Sequence, residues 1–301
     1  MTKPENPLVS IIMNCYNGEK YLREALDSVL VQSYQNWELI FWDNQSKDRS
    51  KEIFKSYNDE RLNYFYAPNH TLLYEARNYA IEKASGEFYA FLDVDDWWDT
   101  EKLEKQIPLF NDLRVGLVYG NYWYENEIKK SRKILYKKPL PSGRILSELL
   151  KNYVVGLLTI VIRRNSFESL YQKFNSQYHM IGDFDCVIRI AVDWNISCVQ
   201  EPVAHYRWTG DNESNNNKEK HIKELEHWYS QMKQQPVICA DSTFLREIKH
   251  QILYLKAKLQ IGNNNYYNTF SLINRLPMGM MKLKLLAICI LPNRILNFFY
   301  R

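Results

Sequence analysis

Residues 88–96 read FYAFLDVDD, five apolar or aromatic residues followed at once by three acidic residues among the next four. A short continuous apolar run is typical of a strand that is buried in a parallel sheet. The acidic cluster Asp93, Asp95 and Asp96 therefore stands where this strand ends. In open parallel sheets ligands bind beyond the carboxyl ends of the strands. The stretch thus indicates both a fold class and the edge of the sheet where chemistry is expected.

The preceding residues repeat the same alternation of strand and helix patterns. Apolar runs predict strands at residues 8–13, 37–42, 62–67 and 88–92. Helical periodicity predicts helices at residues 19–31, 46–57 with Ser46 as its cap, and 72–84 with Gly86 as its stop. Strands that alternate with helices form βαβ units, so we predict an α/β fold with a mostly parallel, Rossmann-like sheet flanked by helices.

Beyond residue 116 the pattern becomes mixed and then mainly helical. It predicts strands at residues 116–124, 154–163 and 196–206, a helix at 180–194, and later helices at 218–234 and 241–260. We therefore predict two domains, a catalytic domain at residues 1–215 and a helical C-terminal extension at residues 216–301.

Several classes of protein are disfavoured by what the sequence lacks. The five cysteines are scattered, without the spacing of a disulfide framework or a zinc site, which favours a reducing compartment. The N-terminus has no apolar signal region, so secretion is not expected. The first strand is followed by NCYNG, without the glycine pattern of dinucleotide-binding dehydrogenases, and no P-loop occurs.

The charge is unevenly distributed along the chain. Residues 216–301 hold 13 Lys/Arg and 5 Asp/Glu, a net of +8, whereas the first 215 residues have a net of −4. Residues 276–301 are apolar and basic, and the uncharged run 285–293 is too short to span a bilayer. We expect an anionic membrane surface as a partner, contacted by an interfacial helix near Lys282, Lys284, Arg294 and Arg301. The alternative is a helix docked on the catalytic domain or on a second subunit; nucleic acid is disfavoured.

The acidic cluster is a candidate cation site. Asp93 and Asp95, one residue apart at a strand end, can share Mg²⁺ or Mn²⁺ and leave coordination positions for diphosphate oxygens. The alternative is a solvated acidic turn before the next helix. Asp43, at the end of the second strand, could accept hydrogen bonds from a base or ribose, or it could be an ordinary turn residue.

Residues after the first strand are candidates for a base pocket. Asn14, Tyr16 and Asn17 could line it, although Asn17-Gly18 could simply be a turn and Tyr16 a packing residue. Arg77 could face a diphosphate, but a surface arginine is the usual outcome for such a residue. Asp183 could deprotonate an acceptor hydroxyl as a general base, or it could be a helix N-cap.

Taken in order, these segments resemble the inverting family-2 glycosyltransferases, which have the GT-A nucleotide-sugar transferase fold. The resemblance covers residues 8–214 and rests on five ordered segments. They are VSII with CYN at residues 9–17, WDNQS at 42–46, EARN at 75–78, GEFYAFLDVDDWW at 86–98, and GDFD at 182–185 completed by Tyr206-Arg207.

The resemblance implies roles for the donor-side residues. Asp43 would contact the nucleotide base with Tyr16 beside it, and Arg77 would face the nucleotide. Asp93 would lie by the ribose and the metal, and Asp95 would be the principal metal ligand. The implied donor is a nucleotide sugar, most often a UDP-sugar, and the implied cofactor is Mg²⁺ or Mn²⁺.

The resemblance also implies a mechanism, in which Asp183 activates the acceptor for a single inverting displacement. Gly182 stands where many relatives have glutamate, which leaves Asp183 as the lone candidate base. We expect a glycan or glycolipid acceptor in bacterial-type surface polysaccharide, lipopolysaccharide or lipid-linked glycan synthesis, at the cytoplasmic face of the membrane. The alternative is a catalytically degenerate scaffold that binds nucleotide sugar or membrane.

Overall fold

The computed structural model describes residues 6–234, 242–263 and 265–290. The chain divides into two compact units, Met1–Asn212 and Glu213–Arg301. The first unit holds the sheet and the acidic cluster, and the second is helical.

The sheet of the first unit has nine strands and is mixed. In the order β3-β2-β1-β4-β8-β6-β9-β5, with β7 beside β6, the first four strands are parallel to one another, and most of the other pairings are antiparallel. The strands are β1 Val9–Cys15, β2 Trp37–Asp43, β3 Leu62–Tyr66, β4 Phe88–Phe91, β5 Trp97–Trp98, β6 Val115–Asn126, β7 Ser131–Ile134, β8 Val161–Arg163 and β9 Asn195–Trp208.

Seven α-helices in the described part of the first unit connect or flank these strands. They are α1 Leu22–Leu30, α2 Ser50–Lys55, α3 Leu73–Ile81, α4 Lys102–Gln106, α5 Leu146–Lys151, α6 Arg164–Glu168 and α7 Gly182–Asp193. The predicted α/β class is confirmed, with helices covering a sheet whose central strands are buried on both faces.

The core sits where apolar strands meet apolar helix faces. Every residue of β1 and β4 is buried, because these two strands lie inside the parallel half of the sheet. α1 buries Leu22, Ala25, Leu26 and Val29, the i, i+3, i+4, i+7 pattern of one helical face.

Three local predictions were wrong, each for a tertiary reason. Residues 154–163 are a strand only at β8, because a buried apolar run does not by itself distinguish a strand from other buried backbone. Ser46 does not cap α2, which begins at Ser50; its hydroxyl accepts a hydrogen bond from the backbone N–H of Asn17. Gly86 is not the stop of α3, which ends at Ile81; a Cβ there would lie 2.6 Å from Ser10 Oγ.

The second unit is built from helices α8 Glu213–Asn216, α9 Lys218–Met232, α10 Ser242–Gly262, α11 Tyr266–Asn274 and α12 Met280–Ile290. Its apolar core includes Ala257, Ile273 and Leu285, each fully buried. Part of the apolar C-terminal segment therefore packs inside this unit. Pro292, Arg294 and Arg301 lie outside the described residues. Among the helices in the described ranges, none has the length and apolarity that a bilayer crossing requires.

Candidate functional site

The carboxyl ends of three neighbouring strands form one edge of the sheet. β1 lies between β2 and β4 and pairs in parallel with both, so Asn14, Asp43 and Asp93 stand at strand ends on the same side. The loops that follow β1 and β4 are in contact, since a Cβ on Gly18 would lie 2.8 Å from Val94 Cγ2. The fold therefore gathers the three polar segments that the sequence pattern had singled out.

Asp43 is fully buried and its carboxylate is held by two donors. The backbone N–H of Ser46 donates to Oδ1 at 2.7 Å, and the Tyr64 hydroxyl donates to Oδ2 at 2.6 Å. Burial and the adjacent carboxylate raise the pKa of Tyr64, which keeps its hydroxyl protonated as a donor. The orientation of Asp43 is therefore set before any ligand arrives.

Asn14 is 8% exposed, and both its amide nitrogen and its amide oxygen are buried without a hydrogen-bond partner in the part of the chain that the structure describes. Leaving a buried polar group unsatisfied costs about 1–3 kcal/mol. Asn44, also buried, shows the contrast, because its amide donates to the Thr71 carbonyl at 2.8 Å and accepts from the Thr71 N–H at 3.1 Å. The Asn14 amide is therefore available to hydrogen-bond a ligand or a water molecule.

Tyr16 and Asn17 behave differently from each other. Tyr16 is half exposed, and its ring centroid lies 4.4 Å from that of His70, so it presents an aromatic face at the edge. Asn17 has a φ of +55°, and its side-chain oxygen accepts from the Lys47 N–H at 2.8 Å. Its described hydrogen bonds serve the turn, which was the alternative interpretation of Asn17-Gly18.

The acidic loop after β4 carries carboxylates in unequal surroundings. Asp93 is 38% exposed, whereas burial, reinforced by the Asp93 charge, raises the pKa of Asp95 to about 6. Asp96 is buried and accepts a hydrogen bond from the Arg207 N–H at 2.8 Å. The Arg207 guanidinium in turn donates to the Asp95 carbonyl at 2.7 Å. The loop is thus tied to β9 through both its backbone and a side chain.

The two carboxylates Asp93 and Asp95 fit a hard divalent cation. Within residues 6–234, 242–263 and 265–290 no group of three or more His, Cys, Asp or Glu side chains is placed to hold a metal. Mg²⁺ is commonly bound through one or two carboxylates, with substrate phosphates and water completing the shell. Crowding two carboxylates where burial disfavours charge is the electrostatic setting that a cation stabilises.

Arg77 is buried and lies against the acidic loop, not at the surface. Its guanidinium pairs with Asp93 at 2.5 Å and lies 5.0 Å from the ring centroid of Tyr74. A charge taken out of water requires a partner of opposite sign, and Asp93 supplies it. The sequence indicated a cation near a diphosphate but could not show that α3 buries it.

Asp183 lies at the second position of α7, so it is not the N-cap, which is Ile181. Its carboxylate accepts a hydrogen bond from the Tyr74 hydroxyl at 2.9 Å. Burial raises the pKa of Asp183, while the Tyr74 hydrogen bond and the Arg77 charge act in the opposite direction. A partly buried carboxylate with a raised pKa has the properties of a general base.

Three residues of this region were given no role from the sequence, although Arg207 belongs to one of the segments that carry the resemblance. Tyr74 binds Asp183, and Arg207 holds the acidic loop. The hydroxyl of Tyr153 is buried without a partner in the described part of the chain, and burial and Asp183 raise its pKa. For Tyr74 the sequence signal was indirect: the glycine at position 182 leaves room for the tyrosine ring, which only the packing shows.

Comparison with known sequences agrees with this geometry. The family described as Glycosyl transferase family 2 matches residues 10–171. A relative from Escherichia coli, named UDP-Glc:alpha-D-GlcNAc-diphosphoundecaprenol beta-1,3-glucosyltransferase WfgD, is 36% identical over 64% of this chain and 73% of its own length. The putative teichuronic acid biosynthesis glycosyltransferase TuaG of Bacillus subtilis (strain 168) is 34% identical over 52% of this chain and 63% of its own length.

Solved structures share the fold. Residues 1–349 of S. aureus TarS, in complex with UDP-GlcNAc, align with a TM-score of 0.66 and 17% identity over 82% of this chain and 72% of that chain. The mannosyltransferase PcManGT from Pyrobaculum calidifontis, in complex with GDP-Man and Mn²⁺, aligns with a TM-score of 0.65 and 15% identity over 95% of this chain and 87% of that chain. These similarities establish the GT-A fold of the chain.

The orphaned amide of Asn14 predicts an unusual effect on stability. Replacing it by leucine, of similar size, removes an unsatisfied polar group, so Asn14→Leu should raise the free energy of unfolding by about 1 kcal/mol. Asn44→Leu, which breaks two hydrogen bonds, should lower it by about 2 kcal/mol. Urea denaturation of both variants tests the contrast, and equal destabilisation by the two would contradict it.

Proposed function

The chain belongs to glycosyl transferase family 2, and we propose that it transfers a sugar from a UDP-sugar to a hydroxyl of a lipid-linked glycan, with inversion. The observation that carries the proposal is one line of contacts. Asp93 pairs with Arg77, Arg77 lies over the ring of Tyr74, and the Tyr74 hydroxyl binds Asp183. It links the proposed donor side of the site to its proposed base.

Donor recognition is proposed for the residues at the ends of β1 and β2. Asp43, held by Ser46 and Tyr64, would accept hydrogen bonds from the nucleotide base, and Tyr16 would contact the base with its exposed ring. The Asn14 amide, which has no partner in the described ranges of the chain, supports this proposal, because a nucleotide offers both the donor and the acceptor that this amide lacks. Asn17 would contribute by shaping the turn between them.

Asp93 and Asp95 are the proposed ligands of Mg²⁺ or Mn²⁺. When bound, the cation neutralises charge that develops on the diphosphate leaving group. Arg77 adds a second positive charge on the same side and holds Asp93 in place. Arg207, through the Asp95 carbonyl, keeps the loop from moving away.

Asp183 is the proposed general base. It takes the proton of the acceptor hydroxyl as the acceptor oxygen forms its bond to the anomeric carbon. The bond from that carbon to the diphosphate oxygen breaks on the opposite face, and the electron pair leaves with UDP. A single displacement of this kind inverts the anomeric centre.

The acceptor proposal rests on the relatives and on the second unit. WfgD is named for a diphosphoundecaprenol-linked acceptor, a membrane lipid. Helix α11, the start of α12 and the segment between them expose apolar and basic side chains, and residues 248–301 contain no acidic residue. We propose that this surface binds an anionic bilayer at the cytoplasmic face; it comprises Tyr267, Phe270, Arg275, Met278, Met280, Leu283 and Lys284.

Nucleotide binding tests the donor and metal assignments together. Calorimetry with UDP, GDP and dTDP, with and without Mn²⁺, should give micromolar binding of UDP that depends on Mn²⁺. Asp95→Asn should abolish the metal dependence, whereas Asp112→Asn, at an exposed carboxylate paired with Arg114, should not. Unchanged metal dependence in Asp95→Asn would remove it as a ligand, and absence of all nucleotide binding by folded protein would favour the scaffold alternative.

The base assignment predicts a loss of rate and a pH profile. Asp183→Asn should spare UDP binding but lower transfer by about 100-fold or more, the scale of general-base catalysis. The wild-type rate should fall as pH decreases through the raised pKa of Asp183, because protonation disables the base. UDP-glucose with GlcNAc-diphosphoundecaprenol is the assay pair, and Asp193→Asn, on the exposed end of the same helix, is the control. Normal turnover by the Asp183→Asn variant would exclude Asp183 as the general base.

Membrane binding can be measured by co-sedimentation of the full chain with vesicles. Binding should be stronger to phosphatidylglycerol/phosphatidylcholine vesicles than to phosphatidylcholine alone. Reversing two charges with Arg275→Glu and Lys284→Glu should weaken it by about 10-fold or more, given roughly 1 kcal/mol per basic residue at an anionic surface. The control Lys137→Glu with Lys138→Glu changes the net charge equally, in the first unit. Equal effects of the two pairs would exclude the proposed surface.

A further inference from the structure

Gly182, the first residue of α7, is in contact with the ring of Tyr74. A Cβ at this position would lie 2.5 Å from Tyr74 Cδ2 and 2.6 Å from both Cε2 and Cγ, closer than real Cβ atoms approach other atoms. The φ of Gly182 is not in the left-handed region, so backbone conformation does not require glycine here. Glycine is required because the tyrosine ring occupies the space of a side chain.

The ring has no room to move aside. Tyr74 is 3% exposed and packs against Phe174 with ring centroids 5.4 Å apart. The guanidinium of Arg77 also lies over the ring, 5.0 Å from its centroid. Close packing of this kind restricts both the ring and the direction of its hydroxyl.

The hydroxyl of Tyr74 is directed at Asp183, to which it donates at 2.9 Å. Other titratable or charged groups that act on Asp183 are Arg77 on α3, Tyr153 before β8, and Cys186 on the same helix. Tyr74 differs from these groups because its hydroxyl makes a side-chain hydrogen bond to Asp183. This hydrogen bond favours the ionised carboxylate against the effect of burial.

Helix α3 therefore reaches both parts of the site with two residues of one face. Tyr74 and Arg77 are three positions apart, so their side chains are neighbours on the helix surface. Arg77 binds Asp93 of the acidic loop, and Tyr74 binds Asp183 of α7.

We propose that Tyr74 is a positioning residue for the reaction, whose ring, seated on Gly182, aims its hydroxyl at Asp183 and orients that carboxylate toward the acceptor. The proposal rests on the proposed role of Asp183 as the base. Tyr74 and Gly182 act together: the tyrosine ring occupies the volume next to the N-terminus of α7, and the missing side chain of Gly182 allows the ring to approach the helix.

Tyr74→Phe separates the hydroxyl from the packing, because phenylalanine keeps the ring on Gly182. With UDP-glucose and GlcNAc-diphosphoundecaprenol, kcat should fall by about 10-fold, the scale of one hydrogen bond to a charged group. KM for UDP-glucose should be unchanged. The acid limb of the pH profile should move to higher pH, since the hydrogen bond that favours the carboxylate is lost. Tyr119→Phe, which removes a buried hydroxyl bound to the Pro141 carbonyl, should leave the profile unchanged.

The contact with Gly182 is tested through stability. Gly182→Ala should lower the Tm of the wild-type protein, and it should lower it less in a Tyr74→Ser background, because the colliding ring is gone there. Tyr74→Ser leaves a cavity of its own, so the comparison is made between the two Tyr74→Ser proteins, and transfer stays low in both. A wild-type kcat and pH profile in Tyr74→Phe would overturn the positioning role even if Asp183→Asn is inactive. Full activity of Asp183→Asn would instead remove the base itself, so the two failures are distinguishable.

Discussion

The ion pair between the buried Arg77 and the partly exposed Asp93 is the interaction on which the geometry of the site depends. A guanidinium taken out of water requires a carboxylate, so α3 can pack against the sheet only where the acidic loop meets it. That docking also sets the position of Tyr74, and through it the contact with α7. One pair of charges thus orders elements that are separated by about a hundred residues in the chain.

A second buried arginine holds the other side of the same loop. Arg207 binds the Asp95 carbonyl with its side chain and Asp96 with its backbone N–H, and its guanidinium is neutralised by Glu24 and Glu127. Two arginines from different elements therefore hold a loop that carries three carboxylates. Their positive charge offsets repulsion within the loop and leaves Asp93 and Asp95 placed at the edge of the sheet.

The structure also explains which local expectations held. The strands predicted from apolar runs at β1, β2 and β4 are confirmed, because a continuous apolar run is itself what a strand buried in a sheet requires. Ser46 and Gly86 were assigned local roles, at a helix cap and a helix stop. Both residues instead contact residues that are distant in sequence: Ser46 contacts Asn17, and Gly86 contacts Ser10. Neighbouring residues in the sequence do not indicate these contacts.

The sequence by itself determined the alternation of strands and helices, the position of the acidic cluster at a strand end, and the resemblance that placed the chain in its family. These follow from local periodicity and from ordered motifs, which are properties of the linear chain. Only the tertiary structure decided that Arg77 is buried, that the Asn14 amide has no partner among the described residues, and that Tyr74 fills the space above Gly182. Burial and hydrogen-bond satisfaction depend on which segments meet in space, and a spacing of 108 residues between Tyr74 and Gly182 carries no such information.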